Sequence, residues 1–289
     1  MSAPTDHRLP PAAWPHVLVL GTGGTIAGSA AEADDHVGYT AGQIGVAQLL
    51  AAVAALRGVP LVAEQVAQLD SKDMSHAVWR RLAQRIDAAL RDDGVQGIVV
   101  THGTDTLEET AYLLQRVLAP SKPVVMTAAM RPATALAPDG PQNLADAVTL
   151  AREPGVRGVV VAVQGAVWSP LEVRKTHSYR LDAFGAGDAG PLAWIEQGRV
   201  RRLRDWPAGE ALGVDVLAAE VWPDVQIVIS HAGADGRVVD WLVEAGVQGL
   251  VVAATGNGTV HQELAVALLR AQARGVAVLR ATRVGAGQV

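Results

Sequence analysis

The chain alternates short apolar runs with longer amphipathic stretches over most of its length. Apolar runs of strand length fall at 16–20, 61–68, 97–103, 124–129 and 158–167, and again at 225–231, 249–255 and 276–282. Between them, apolar positions at helical spacing predict helices over 44–56, 75–91, 106–119, 140–152, 237–244 and 260–274. This alternation predicts right-handed βαβ units and parallel strands buried between helices.

Residues 168–218 interrupt the alternation with glycines, prolines and a predicted hairpin over 191–203. We therefore predict a larger N-terminal α/β domain with a doubly wound, mostly parallel sheet and a smaller C-terminal α/β domain. The predicted boundaries are 1–195 for the first domain, 196–218 for a linker and 219–289 for the second domain.

Composition and charge narrow the classes of function. Hydrophobic residues make up 49% of the chain and charged residues 18%, as in a globular protein with a sizeable core. The net charge of -5 argues against a nucleic-acid partner, and we interpret the arginines between Arg199 and Arg204 as a solvated hairpin edge. The chain has no cysteine, which excludes disulfides and thiol nucleophiles.

The sequence also indicates four features that we do not expect: a secretion signal, a membrane partner, a metal and an organic cofactor. The N-terminal residues lack the basic start and apolar run of a secretion signal, which predicts a cytoplasmic protein. No apolar run reaches membrane-spanning length, so no membrane partner is expected. The histidines show no metal-binding spacing, and we expect neither a metal nor an organic cofactor.

Polar clusters follow the predicted strands, where ligands bind in open α/β sheets. The first is GTGGTIAG at 21–28, whose glycines allow a sharp turn and a close ligand. It fails the dinucleotide fingerprint because Ile26 stands at the closing position. Taken alone, Thr25 is better interpreted as a structural hydroxyl that bonds the turn. A second glycine string, 185–190, fits that fingerprint but precedes no helix, and we interpret it as a loop.

The second cluster is THGTDTLEET at 101–110. Asp105 and Glu108 could form a capping box at the start of the predicted helix. Capping does not account for His102 or Thr104, and a helix N-terminus also binds anions such as a carboxylate. Both interpretations stay open on the sequence alone.

Two shorter clusters complete the set. DSKD at 70–73 is by itself an ordinary polar turn. RKT at 174–176 contains Lys175, one of three lysines beside twenty-one arginines. Lysine is the cation that can lose its proton for catalysis, although a surface lysine is the simpler interpretation.

Taken together, these segments resemble the bacterial-type L-asparaginase family, which has asparaginase/glutaminase activity. TGGTIAG and THGTDTLEETAYLL are similar to its two signature segments. Further similar pieces are GYTAGQIGV, DSKDM, PVVMTAAMRP, DGPQNLADAV, RKT and TGNG, in the family's order.

The resemblance implies a role for each matching residue. Thr25 is the expected nucleophile, and Tyr39, on a mobile lid, is expected to activate or orient it. Thr104, Asp105 and Lys175 are expected to form a second catalytic group. A lysine amine can take a hydroxyl proton when burial lowers its pKa.

Substrate contacts are implied in the same way. Ser71 is expected to hold the substrate α-carboxylate, and Asp105, beside Thr104, the α-amino group. The backbone N–H of Ala129 is the expected oxyanion donor. Lys72 departs from the family, which usually has glutamine beside the substrate at this point.

The resemblance therefore implies hydrolysis of L-asparagine, and possibly of L-glutamine, by a homodimer or homotetramer without a cofactor. Family chains continue past RATRVGAG, so we expect the small domain to be truncated here. The early stop and Lys72 keep an alternative open, namely a catalytically impaired or truncated relative that binds amino acids without turnover.

Overall fold

A computed structural model of the protein describes residues 15–32, 34–35, 38–287 and 289. The strands within these residues are β1 His16–Gly23, β2 Leu61–Leu69, β3 Val95–Thr101, β4 Pro123–Thr127, β5 Gly158–Val163, β6 Ala166–Trp168, β7 Arg174–Lys175, β8 Phe184–Gly185, β9 Ala193–Glu196, β10 Arg199–Arg202, β11 Val225–Ile229, β12 Gly249–Ala254 and β13 Ala277–Thr282. The helices are α1 Val46–Ala52, α2 His76–Leu90, α3 Leu107–Leu118, α4 Gly140–Arg152, α5 Arg237–Glu244 and α6 Gln262–Ala273.

The chain divides into two compact units, one ending at Ala218 and the other comprising Ala219–Val289. The first unit contains an eight-stranded sheet in the order β10-β9-β6-β5-β4-β3-β1-β2. Strands β1 to β5 pair in parallel, whereas β6, β9 and β10 pair antiparallel. The predicted doubly wound, mostly parallel sheet is confirmed.

The direction of chain progress across the sheet reverses at β1, which lies between β2 and β3. Such a switch point opens a crevice at the carboxyl ends of the two strands, and ligands bind there. The glycine loop after β1 and the Thr101–Thr110 segment after β3 both start at this crevice. Sheet order alone therefore brings the two longest sequence signatures together.

One β–α–β crossover in the large sheet, β4–α4–β5, has the opposite handedness to the others. Helices α1 and α4 pack on one face of the sheet, and α2 and α3 on the other. Strands β3, β4 and β5 follow each other in one direction, yet α3 and α4 cover opposite faces, so these two connections have opposite hands. The connections through α1, α2 and α3 share one hand, which by the strong general preference is right-handed. The prediction of uniformly right-handed units is therefore wrong at β4–α4–β5.

The exceptional crossover places the start of α4 over the loop that follows β1. Gly140 is the first residue of α4, and a Cβ there would lie 3.0 Å from Cγ1 of Ile26 and 3.5 Å from Cβ of Ala129. Ile26 is 3% exposed and belongs to the core on this face. The start of α4 therefore packs directly against this loop.

Two tight hairpins add antiparallel strands to the large sheet: the one at Gln164 was not predicted, whereas the one at Gln197 confirms the hairpin predicted over 191–203. The single strand predicted over 158–167 is divided into antiparallel β5 and β6 by Gln164 (φ 52°) and Gly165 (φ 71°). Gln197 (φ 52°) and Gly198 (φ 70°) turn β9 into β10 in the same way. Two consecutive residues with positive φ match the twist of a two-residue hairpin. Strand β10 (Arg199–Arg202) therefore extends the large sheet, although a linker was expected over these residues.

Lys175 lies on β7, which pairs only with β8 in a separate two-stranded sheet. The sequence did not predict this short pair. The second unit has three parallel strands in the order β11-β12-β13. Its core contains side chains from the strands and from α5 and α6, including Val228, Val239, Leu250 and Leu264.

Candidate active site

Three loops meet at the carboxyl edge of the large sheet. A Cβ on Gly24 would lie 2.3 Å from the Cα of Gly103, so the loops after β1 and β3 touch through their backbones. A Cβ on Gly103 would lie 2.5 Å from Oγ of Ser71, in the loop after β2. Residues from three segments far apart in the chain therefore share one small region.

Thr25 begins a short 3-10 turn directly after Gly24, and it is only 5% exposed. Its Oγ1 lies 2.5 Å from Oη of Tyr39, and either hydroxyl can be the donor. Burial raises the pKa of Tyr39, the hydrogen bond with Thr25 opposes this, and the carboxylates of Asp70 and Asp105 raise the pKa further. Tyr39 is therefore a neutral phenol at physiological pH.

Thr104, Asp105 and Lys175 form a second hydrogen-bonded group. The Lys175 Nζ donates to Thr104 Oγ1 at 2.8 Å and to Asp105 Oδ1 at 2.6 Å. Thr104 is buried, and the Lys175 side chain is 19% exposed. The charge of Asp105 also raises the pKa of Tyr39. The Thr104–Asp105–Lys175 group is therefore electrostatically linked to the Thr25–Tyr39 pair.

The possible capping box at α3 is not formed. The N-cap is Thr106, without a side-chain cap bond, and the Asp105 carboxylate binds Lys175 instead. Glu108 Oε2 accepts the backbone N–H of Lys175 at 2.5 Å. Both acidic side chains therefore contact the strand that carries Lys175.

Ser71 links the loop after β2 to the start of α3. Its side chain is buried, and Oγ accepts the Asp105 N–H at 3.2 Å. Its carbonyl oxygen accepts the Thr106 hydroxyl at 2.8 Å. Ser71 thus places a hydroxyl beside Asp105.

Lys72 is directed toward the acidic residues of its own loop. Its Nζ lies 2.6 Å from Asp73 Oδ2 and 3.6 Å from Asp70 Oδ2, with the side chain 62% exposed. The hydrogen bond with Asp73 is the main cause of its raised pKa. Lys72 therefore pairs with Asp73 and Asp70, whereas Asp105 pairs with Lys175.

Ala129 lies in the loop between β4 and α4, which a buried polar network holds in place. Asp139 accepts the N–H groups of Met130 at 2.9 Å and of Arg131 at 3.0 Å. The Asn143 side chain donates to the Ala128 carbonyl at 2.9 Å and to Asp139 at 3.3 Å. The segment DGPQN contained the signal for this network, because an Asp before Gly-Pro marks a helix start.

His102 is fully buried in a directed chain of hydrogen bonds. Its Nδ1 lies 2.7 Å from the Gly103 carbonyl, which can only accept, so Nδ1 carries the proton. Its Nε2 therefore accepts the Thr110 hydroxyl at 3.0 Å, and that hydroxyl accepts the Trp79 Nε1–H at 2.8 Å. Burial lowers the pKa of His102 to about 4, so the ring is neutral. The sequence singled out His102 without revealing this role.

The arrangement has the parts that nucleophilic catalysis by a hydroxyl requires. Two buried threonine hydroxyls each contact a group that can transfer a proton, and both lie where such sheets bind ligands. The fold and the site define a doubly wound α/β enzyme architecture with a candidate hydroxyl nucleophile.

Comparisons with known proteins agree with this class. The family described as "Asparaginase, N-terminal" matches residues 16–207, and the "Glutaminase/Asparaginase C-terminal domain" matches residues 224–289. L-asparaginase 2 of Escherichia coli (strain K12) is 39% identical over 281 residues, covering 95% of this chain and 80% of that protein. The glutaminase-asparaginase of Pseudomonas fluorescens biotype A is 35% identical, covering 94% and 76%.

The crystal structure of a probable cytoplasmic L-asparaginase from Campylobacter jejuni superposes with a TM-score of 0.88. Its sequence is 37% identical, with 93% of this chain and 84% of that chain covered. The chain belongs to the asparaginase/glutaminase family, and the resemblance drawn from its sequence segments is confirmed.

Proposed function

We propose that the protein is an amidohydrolase that converts L-asparagine to aspartate and ammonia, with L-glutamine as a second substrate to be tested. One observation carries the proposal. The Thr25–Tyr39 pair and the Thr104–Asp105–Lys175 group meet at the switch point of the sheet, in a chain of this family.

The first step is acylation of Thr25. Its Oγ1 attacks the carboxamide carbon, and its proton passes to Tyr39, which gives its own phenolic proton to the departing nitrogen. The C–N bond breaks, ammonia leaves and an ester with Thr25 remains. The raised pKa of Tyr39 supports this relay, because a phenol has a proton to donate.

The second step is hydrolysis of the ester. Water attacks the acyl carbon, and one of its protons passes through the Thr104 hydroxyl to the amine of Lys175. The C–O bond to Thr25 breaks, Tyr39 gives its phenolic proton to the Thr25 oxygen, and the proton taken up by Lys175 returns to Tyr39, which restores both groups. In both steps the N–H of Ala129 stabilises the oxyanion. No described residue accepts a hydrogen bond from this N–H, which leaves it available as a donor.

Substrate orientation comes from the loops after β2 and β3. Ser71 holds the α-carboxylate near the start of α3, where anions are favoured. Asp105 holds the α-ammonium group, supported by its partly exposed carboxylate. Lys72 is exposed in the same loop. Its amine is bound to Asp73 and Asp70, which leaves it the weakest of the proposed substrate contacts.

Ammonia release from L-asparagine and L-glutamine tests the proposal directly. Thr25→Ala should lose at least about a thousandfold in kcat, and Thr25→Ser should retain a measurable part of it. Full activity in Thr25→Ala would refute the assigned nucleophile. Calorimetry that detects aspartate binding without turnover by the wild-type protein would favour an amino-acid-binding protein instead.

Assembly and location complete the proposal. We propose a homodimer or homotetramer, to be tested by sedimentation at several protein concentrations. A cytoplasmic location is supported by the Campylobacter jejuni relative, which is called cytoplasmic, whereas a relative from Haemophilus influenzae, 36% identical, is called periplasmic. Cell fractionation decides between these compartments. Within the described part of the chain, every helix is too short or too polar to cross a membrane.

A further inference from the structure

The strand that carries Lys175 has little support of its own. Strand β7 contains only Arg174 and Lys175, and it pairs with the equally short β8 rather than with the large sheet. The sheet that positions Thr25 and Thr104 therefore does not position Lys175. Its neighbours Val173 and Thr176 are anchored to Ser169 and Ala183, and contacts made by Lys175 itself complete its placement beside Thr104.

Lys175 is bound at three points to one short segment. Its Nζ donates to Thr104 and Asp105, in the loop after β3. Its backbone N–H donates to Glu108 Oε2 at 2.5 Å, in the first turn of α3. A carboxylate is stabilised at a helix N-terminus, and hydrogen bonds to ionised acceptors are among the stronger ones. Glu108 thus joins the backbone of Lys175 to the first turn of α3.

We propose that Glu108 is a positioning residue for catalysis by Lys175, an inference that rests on the proposed function. The attraction between Lys175 Nζ and Asp105 changes whenever Nζ gains or loses a proton. The backbone N–H of Lys175 takes no part in proton transfer, so its bond to Glu108 does not depend on the charge of Nζ. Glu108 thereby keeps the Lys175 amine within reach of Thr104.

The decisive variants are Glu108→Ala and Glu108→Gln, because glutamine keeps a side-chain oxygen that can accept the same N–H. Glu108→Ala should lower kcat on the order of 10- to 100-fold, the loss expected from a small misplacement of a reacting group. KM for L-asparagine should stay within about threefold, because Glu108 is not a proposed substrate contact. Glu108→Gln should restore kcat to within about fivefold of the wild type. Glu109→Ala is the matched control, since Glu109 is the next residue and is exposed.

Lys175→Ala, assayed beside these variants, separates this inference from the proposed function. Undiminished activity in Lys175→Ala would refute the catalytic role that the proposed function assigns to Lys175. Loss in Lys175→Ala with wild-type kcat in Glu108→Ala would overturn only the positioning role. Equal losses in Glu108→Ala and Glu108→Gln would also overturn it, because the hydrogen bond would not be what matters. If Glu108→Ala does not fold, Glu108→Gln is compared with the wild type directly. Provided that its unfolding curve matches the wild type, a loss of kcat beyond about fivefold would overturn the positioning role.

Discussion

Gly24 and Gly103 are in direct backbone contact, which joins the loop of Thr25 to the loop of Thr104. A Cβ on Gly24 would lie 2.3 Å from both the Cα and the N of Gly103. Gly24 also has a φ of 79°, a conformation that side chains disfavour. Neither threonine can therefore shift without moving the other, and several consequences can be measured.

Replacement of Gly24 by alanine should separate the two loops. We expect the free energy of unfolding to fall by about 2–4 kcal/mol, from the backbone strain and the clash with Gly103 together. Ammonia release should fall more than about a hundredfold. Gly58→Ala is the matched control, because Gly58 has the same φ of 79° with no atom near its missing Cβ. Similar unfolding curves for both variants would show that Gly103 imposes no steric limit.

Tyr39→Phe should remove the partner of the Thr25 hydroxyl while keeping the ring. We expect kcat to fall about 10²- to 10⁴-fold, the usual contribution of a proton-transfer group, with a smaller change in KM. Because burial raises the pKa of Tyr39, loss of its proton should reduce wild-type activity only above the ordinary tyrosine range. Initial rates from about pH 6 to about pH 11, a range that extends past the ordinary tyrosine pKa of about 10, check both statements, and an unchanged kcat in Tyr39→Phe would eliminate the relay.

His102 should make the protein sensitive to acid. Its pKa is lowered from 6.5 to about 4 on folding. Between these two values His102 is protonated in the unfolded chain and neutral in the folded chain. Stability is therefore full above pH 6.5 and falls as the pH drops toward 4. This one group should cost about 2 kcal/mol between about pH 7.5 and about pH 5.

His102→Asn tests this assignment, because its amide can still donate to the Gly103 carbonyl. Urea unfolding at about pH 7.5 and about pH 5 should give a smaller acid-dependent loss in the variant, by about 2 kcal/mol. The variant is expected to be less stable at neutral pH, since the bond to Thr110 is lost. An identical pH dependence in both proteins would mean that other groups cause the acid sensitivity.

Asp139 should control the geometry of the proposed oxyanion donor. Asp139→Ala leaves the N–H groups of Met130 and Arg131 without their acceptor, which should cost about 2–3 kcal/mol of stability. A displaced Ala129 should reduce kcat by about tenfold or more. Asp146→Ala is the control on the same helix, where the carboxylate accepts a bond from Gln142. Equal kcat in both variants would separate Asp139 from catalysis.

Lys72→Gln should change catalysis little, because the lysine amine is bound to Asp73 and Asp70 rather than to Asp105. We expect stability to change by less than about 0.5 kcal/mol, as for most exposed ion pairs. The value of kcat/KM for L-asparagine should stay within about threefold, which is less than about 1 kcal/mol. A larger change in KM would place Lys72 beside the bound substrate.

The sequence predicts most of the elements because their apolar periodicity is strong. Helices α4 and α5 have the predicted ends, and the parallel strands fall close to the predicted runs. The hairpin at Gln164 was not predicted, since glutamine before glycine is a weaker turn signal than asparagine, whereas the hairpin at Gln197 was predicted over 191–203. The exceptional hand of β4–α4–β5 could not be predicted, because no local pattern encodes the face of the sheet on which a helix packs.

The residues of the candidate site could be predicted from the sequence, but most of their contacts could not. The signature segments identified Thr25, Thr104, Asp105 and Lys175 as candidates, and the structure shows which contacts each of them makes. The bond from Lys175 to Glu108 could not be predicted, because it joins residues 67 positions apart through a backbone donor. The order of hydrogen bonds around His102 likewise requires three segments to be placed in space first.

The position of β1 inside the sheet has a consequence for synthesis on the ribosome. The loop that carries Thr25 is made early, whereas its neighbour β3 begins at Val95 and the covering helix α4 ends at Arg152. Until both have emerged, this glycine-rich turn has only β2 beside it and lacks the contacts of β3 and α4. An N-terminal fragment that ends before Lys175 should therefore lack turnover, however well its strands have formed.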